Sequence, residues 1–133
     1  KVASITRIMH AHGINHRDLY LCHFLLQQDQ LHLQQRGGTS ESRGHPRLYL
    51  VDLHRAQMRQ RVPARWLIKD LASLYFSALD RGLTRRDILR FLRVYFGRSL
   101  REIMLFQPLL KKVQHRADRL YRRDFDKIPH FPL

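Results

Sequence analysis

A mainly helical α+β fold, with one short antiparallel pair of strands in its first half, is what this 133-residue sequence predicts. Three observations carry the prediction. From Trp66 onward, apolar residues recur at steps of three and four, the spacing of one face of a helix. Residues 24–26 and 48–51 form short solid apolar runs suited to strands. Two Thr/Ser-x-x-Asp/Glu pairs, Thr84 with Asp87 and Ser99 with Glu102, have the form of capping boxes that open helices. With 44% hydrophobic residues, the chain can bury one sizeable core, and its length predicts one domain, or one lobe of a larger one, over 1–133.

In chain order, Val2, Ile5, Ile8 and Met9 predict one face of a first helix, closed by Gly13. That pattern begins at once after Lys1, so the sequence is expected to open inside a helix, as a fragment. Residues 14–23 are too polar at their start for a strand and too short for a helix, which predicts a loop. The two apolar runs are expected to pair as buried antiparallel strands, with Leu31 and Leu33 extending the first. Residues 34–46, rich in Gly, Ser and polar side chains, predict a mobile surface loop. Their glycines lack the spacing of a phosphate cradle.

Past Pro63, Trp66, Leu67, Leu71, Leu74, Tyr75 and Ala78 predict a helix capped at Gly82. Ile88, Phe91, Leu92 and Tyr95 continue a second to Gly97, Ser99 opens a third, and Pro108 suits the first turn of a fourth through Val113 and Ala117. Trp66 and the tyrosines are expected in the core.

The net charge of +14 is uneven. Residues 1–53 carry 6 Lys/Arg against 4 Asp/Glu, and residues 54–133 carry 19 against 7. Such a surface favours an anionic partner: a phosphorylated glycan, an anionic membrane surface, nucleic acid or an acidic protein. The lone Cys22 excludes an intrachain disulfide and is expected as a small buried side chain. No apolar stretch approaches a membrane span.

His16-Arg17-Asp18, four residues, then His23 matches the kinase catalytic loop HRDxxxxN except at its last position. Its setting matches too: a helix precedes it, a strand follows, and a second strand leads to Asp52. In that scheme Asp18 accepts the proton of the attacking hydroxyl and Asp52 holds Mg²⁺ on the phosphates of ATP. His23 is a softer magnesium ligand than the usual asparagine amide. Its expected place is at the metal or lining the site. Arg55, Arg59, Arg61 and Arg65 follow the metal aspartate, where guanidinium forks would meet carboxylates or phosphates of a substrate. His10, His12 and His16 lack a cysteine or carboxylate partner nearby and are not read as a zinc set.

Three blocks sharpen the resemblance: residues 15–26 (NHRDLYLCHFLL), 51–57 (VDLHRAQ) and 69–77 (KDLASLYFS). Together they resemble the lipopolysaccharide core heptose kinases of Gram-negative bacteria, over most of the chain and fading after about Glu102. The resemblance implies the helical C-terminal lobe of a protein-kinase-like fold, its strand pair carrying both aspartates. It implies ATP-dependent phosphorylation of a heptose in the lipopolysaccharide inner core, at the cytoplasmic face of the inner membrane. Carried over by position, Asp18 is the base, Asp52 the metal ligand, His16 and Arg17 the positioning residues of the loop, and Asp70 the buried anchor beneath it. His23 and His54-Arg55 depart from protein kinases in the family's own way. A glycine-rich loop and a strand lysine paired with a helix glutamate are not found and are expected upstream of Lys1. The isolated chain is therefore expected to bind ATP poorly and to be inactive.

Two rivals remain on sequence alone. A basic nucleic-acid-binding helical module accounts for the charge but lacks a recognition motif and leaves the aspartates unexplained, so no nucleic acid is expected. A pseudokinase or interaction scaffold is disfavoured by the presence of both Asp18 and Asp52.

Overall fold

The computed structural model describes residues 1–27 and 46–132. The segment predicted to be a mobile loop, and Leu31 and Leu33, lie outside the described residues apart from Pro46. Helix α1 spans Val2–Ala11 and leads through Gly13 into β1, Ile14–Asn15. A 3₁₀ turn at Leu21–His23 precedes β2, Phe24–Gln27. Strand β3, Arg47–Leu50, is followed by a second 3₁₀ turn at Leu53–Arg55 and by β4, Gln57–Met58. Four helices complete the chain: α2 Ala64–Ala78, α3 Arg85–Phe96, α4 Leu100–Ile103 and α5 Gln107–Phe125.

β2 and β3 pair antiparallel, Phe24 opposite Leu50 and Gln27 opposite Arg47. They are not buried strands, however. Only Phe24 is buried, while Leu25 and Leu26 are about half exposed, because a two-stranded ribbon has no second layer to cover both faces. A second antiparallel pair joins β1 to β4, Ile14 opposite Met58, and its first strand lies inside the stretch predicted as loop.

The core has two parts that meet at Phe91. Met9, Leu19, Phe24 and Leu74 form one, with Leu48 and Leu50 against it. Leu71, Ala72, Val113 and Ala117 form the other, where α5 packs on α2. Both predicted capping boxes are made, at Thr84 with Asp87 and Ser99 with Glu102. The hydrogen bonds from Thr84 hold the Asp87 carboxyl below its usual range. The predicted third helix is one turn of α4 continued by a 3₁₀ turn. Ile8 is 58% exposed, because the face of α1 that packs inward presents Ala3, Thr6, Met9 and His10 instead. Between α2, α3, α4 and α5 lies an apolar cavity of about 440 Å³, lined by Leu74, Tyr75, Ile88, Leu92, Ile103 and Leu110 among others.

Gly13 closes α1 in the left-handed region, at φ +75°, where glycine has no side chain to strain. It also holds β1 against β4, since the Arg59 amide donates to the Gly13 carbonyl at 2.9 Å. A Cβ at Gly13 would lie 1.8 Å from the Arg59 carbonyl oxygen, so alanine cannot fit without parting the strands. Gly13→Ala is expected to destabilise the protein by about 2–3 kcal/mol, measured by denaturant unfolding; an unchanged midpoint would show that the strand pair is dispensable.

Candidate active site

The residues 16–18 are held from below by Asp70, which α2 carries into the interior with no solvent exposure. Its Oδ2 accepts from the His16 amide at 2.7 Å and its Oδ1 from the Arg17 amide at 2.8 Å. Those two bonds fasten the backbone at Arg17, which sits in the left-handed region at φ 76°, a strained place for a side-chain-bearing residue. His10 supplies a third contact, its Nε2 at 3.3 Å from Asp70 Oδ2. A carboxylate accepts, so Nε2 carries the hydrogen and Nδ1 accepts from the Tyr95 hydroxyl at 2.7 Å. A buried Tyr95–His10–Asp70 chain thus ties α3 and α1 to the loop, and burial and the nearby Asp70 carboxylate push the Tyr95 hydroxyl well up from its ordinary pKa.

Asp18 follows at the rim, with its side chain one-fifth exposed. Arg55 Nη1 lies 2.8 Å from its Oδ2 and Lys69 Nζ 3.6 Å from its Oδ1. The Asp18 backbone carbonyl accepts from His23 Nδ1 at 2.8 Å. The other nitrogen of His23 lies 3.4 Å from Asp52 Oδ2, so this one imidazole spans the two aspartates. His23 stacks on His16, with ring centroids 5.6 Å apart, and His16 Nε2 donates to the Val51 carbonyl at 3.0 Å.

Asp52 is beyond the end of β3 rather than on it, in the left-handed region at φ 63°. That turn swings its carboxylate back toward His23, while His54 Nδ1 contacts its Oδ1. The His54 hydrogen bond holds the Asp52 carboxyl below the usual carboxylate range against the opposing effect of desolvation, and the nearby imidazoles of His54, His23 and His16 add to the lowering.

Of the predicted residues, the fold therefore gathers His16, Arg17, Asp18, His23, Asp52, Arg55 and Asp70. Arg59 stands beside the loop, not on an aspartate: it donates to Asn15 Oδ1 at 2.6 Å and to Gln57 Oε1. Arg61 is exposed and makes no ion pair with the site among the described residues. Cys22 is exposed, against expectation, because its 3₁₀ turn sends Leu21 to the core instead. His10, His12 and His16 diverge to Tyr95 and Asp70, to the Ile8 carbonyl and to the Val51 carbonyl. Sequence reasoning missed His10, Tyr95, His54 and Lys69 as parts of the site. The last two flank Asp52 and Asp70 within the quoted blocks, and that adjacency was the available signal.

No helix among the described residues is long and apolar enough to cross a membrane. Residues 1–95 match the sequence profile of the lipopolysaccharide kinase (Kdo/WaaP) family. A Pseudomonas aeruginosa protein named lipopolysaccharide core heptose(I) kinase WaaP is 52% identical over 123 residues, which is 92% of this chain and 42% of that one. The protein of the same name from Escherichia coli K12 is 49% identical over 124 residues, 92% of this chain and 43% of its own. The chain thus spans less than half the length of these curated relatives. A solved structure titled "WaaP in complex with acyl carrier protein" superposes with a TM-score of 0.72 at 51% identity, over 90% of this chain and 46% of that one. The mainly helical lobe with its strand pair is that fold, and with the profile spanning the catalytic-loop motif and all three quoted blocks, this chain belongs to the lipopolysaccharide kinase (Kdo/WaaP) family.

Proposed function

We propose that this chain is the catalytic lobe of an ATP-dependent kinase that phosphorylates a heptose hydroxyl of the lipopolysaccharide inner core. One observation carries the reading: His23 bridges the Asp18 backbone to the Asp52 carboxylate, above a loop pinned by Asp70. Phosphoryl transfer asks the protein mainly for position and for charge neutralisation, and this arrangement supplies both. Asp18 takes the proton of the attacking hydroxyl. Asp70 fixes the loop backbone, and Arg55 and Lys69 stand where negative charge gathers beside Asp18.

The donor set fits a divalent cation at Asp52. A carbonyl only accepts, so His23 Nδ1 carries the hydrogen in its bond to Asp18, and Nε2 is the ring nitrogen that faces Asp52 Oδ2. With Nε2 and a carboxylate oxygen 3.4 Å apart, either a proton or a metal ion can stand between them. Mg²⁺ held there by Asp52, with His23 at its edge, would neutralise the phosphates of ATP.

The relatives are named for the lipopolysaccharide core, and activity at the cytoplasmic face of the inner membrane, with the cationic helices towards anionic lipid or an acidic protein, is part of this proposal. The solved relative's partner is an acyl carrier protein. The basic excess of residues 54–133 would attract an acidic partner, and the apolar cavity of about 440 Å³ beside α2–α5 has the walls and volume for an acyl chain.

The test is transfer of labelled γ-phosphate from ATP to purified core lipopolysaccharide by the full-length protein. The expected result is a glycan heavier by one phosphoryl group, with transfer stopped by chelation and restored by Mg²⁺. Transfer that survives complete chelation would remove the metal role of Asp52, and no labelled glycan would refute the kinase reading.

A further inference from the structure

We infer that Arg17, Arg59, Arg65 and Lys69, gathered around Trp66, form an oxyanion-binding subsite that takes an anionic group carried by the acceptor glycan next to the reacting hydroxyl. The inference rests on the kinase reading for the identity of the glycan, but not for the anion chemistry.

All four cations lie within 6 Å of one indole centroid: Arg17 at 5.1, Arg65 at 5.4, Lys69 at 5.7 and Arg59 at 5.9 Å. Trp66, expected in the core, is half-buried under them instead. Among the described residues, the guanidinium groups of Arg17, Arg59 and Arg65 have no carboxylate within 4 Å, and Lys69 reaches only Asp18, at 3.6 Å, which Arg55 already holds at 2.8 Å. Four like charges around one ring repel one another, and the indole face returns only part of that cost. The positions are nevertheless built. Arg59 is steered by Asn15, which is fully buried, and by Gln57, and Arg17 by its strained backbone on Asp70.

A cluster whose three guanidinium groups have no counter-carboxylate is preorganised for an anion from outside. Guanidinium groups fixed against an aromatic plane present their N–H forks to carboxylate or phosphate oxygens. Location gives the ligand. Lys69 belongs both to this cluster and to the surroundings of Asp18, so an anion bound here sits beside the hydroxyl that Asp18 would deprotonate. A carboxylate sugar and a sugar phosphate share this oxyanion chemistry.

The experiment uses the full-length protein with Arg65→Gln and Lys69→Gln, singly and together, with Arg65→Lys as the charge-keeping control. Three acceptors are compared: native core glycan, the glycan with its carboxylates reduced, and the glycan after enzymatic dephosphorylation. The double variant is expected to raise the glycan KM about tenfold or more while the ATP KM stays within about twofold. Arg65→Lys should recover part of the loss. One glycan treatment should weaken the unaltered protein similarly and the double variant hardly further, and that treatment identifies carboxylate or phosphate as the ligand. Glycan binding without ATP, read by calorimetry, should fall in parallel. If binding is unchanged in the double variant, or its loss simply adds to both treatments, the subsite is refuted. If no glycan is ever phosphorylated while binding still depends on these residues, the kinase reading fails and the subsite stands.

Discussion

Asp18→Asn in the full-length protein is expected to lower kcat for transfer to core lipopolysaccharide by about 10²- to 10⁴-fold, the usual worth of a positioned general base. Asparagine keeps the shape of the side chain, so the loop pinned by Asp70 should stay in place. Its amide has no proton affinity to offer the sugar hydroxyl, and it loses the ion pair with Arg55 that Asp18 makes at 2.8 Å. Nucleotide binding and thermal stability should change little, because Asp18 is at the rim and Asp52, the proposed metal ligand, is untouched. Equilibrium binding of a nucleotide analogue beside the steady-state assay separates the two effects. A kcat within about twofold of the unaltered protein would strip Asp18 of the proposed role.

What the sequence made legible is what it writes locally. His16-Arg17-Asp18 and His23 lie within eight consecutive residues, so their spacing could be read directly, and the helices of the second half announced themselves through periodicity and capping boxes that the structure forms. The β1–β4 pair is only two residues long on each side and leaves no alternation to read. The exposure of Leu25 and Leu26 could not be foreseen, because an apolar run reports the side chains and not whether a second layer exists to cover them. Tyr95 and His10 are 85 positions apart, and their hydrogen bond depends on how α3 packs on α1. Trp66 misled for the same reason: at helical spacing it looks like core, yet the cations that cover it come from the loop at residues 16–18, β4's neighbour Arg59 and the next turn of α2.

Asp70→Ala should be costlier to the whole molecule than Asp18→Asn, with a loss of stability of about 3–5 kcal/mol. One carboxylate with no solvent exposure serves three donors: the His16 and Arg17 amides and His10 Nε2. Alanine strands all of them, and each buried donor left without a partner costs about 1–3 kcal/mol. Asparagine is a poor rescue, because its single oxygen can replace one carboxylate oxygen while its NH₂ turns a donor toward a donor. The Arg17 backbone would then lose what keeps it in the left-handed region, and Asp18, the next residue, would lose its position. Hydrogen exchange at the His16 and Arg17 amides gives the decisive readout. Strong protection in the unaltered protein should collapse in Asp70→Ala and Asp70→Asn but persist in Asp18→Asn, although all three lose turnover. If the two amides stayed protected after Asp70 is replaced, the loop would have to be held by something other than this carboxylate, and the loss of activity would need another cause.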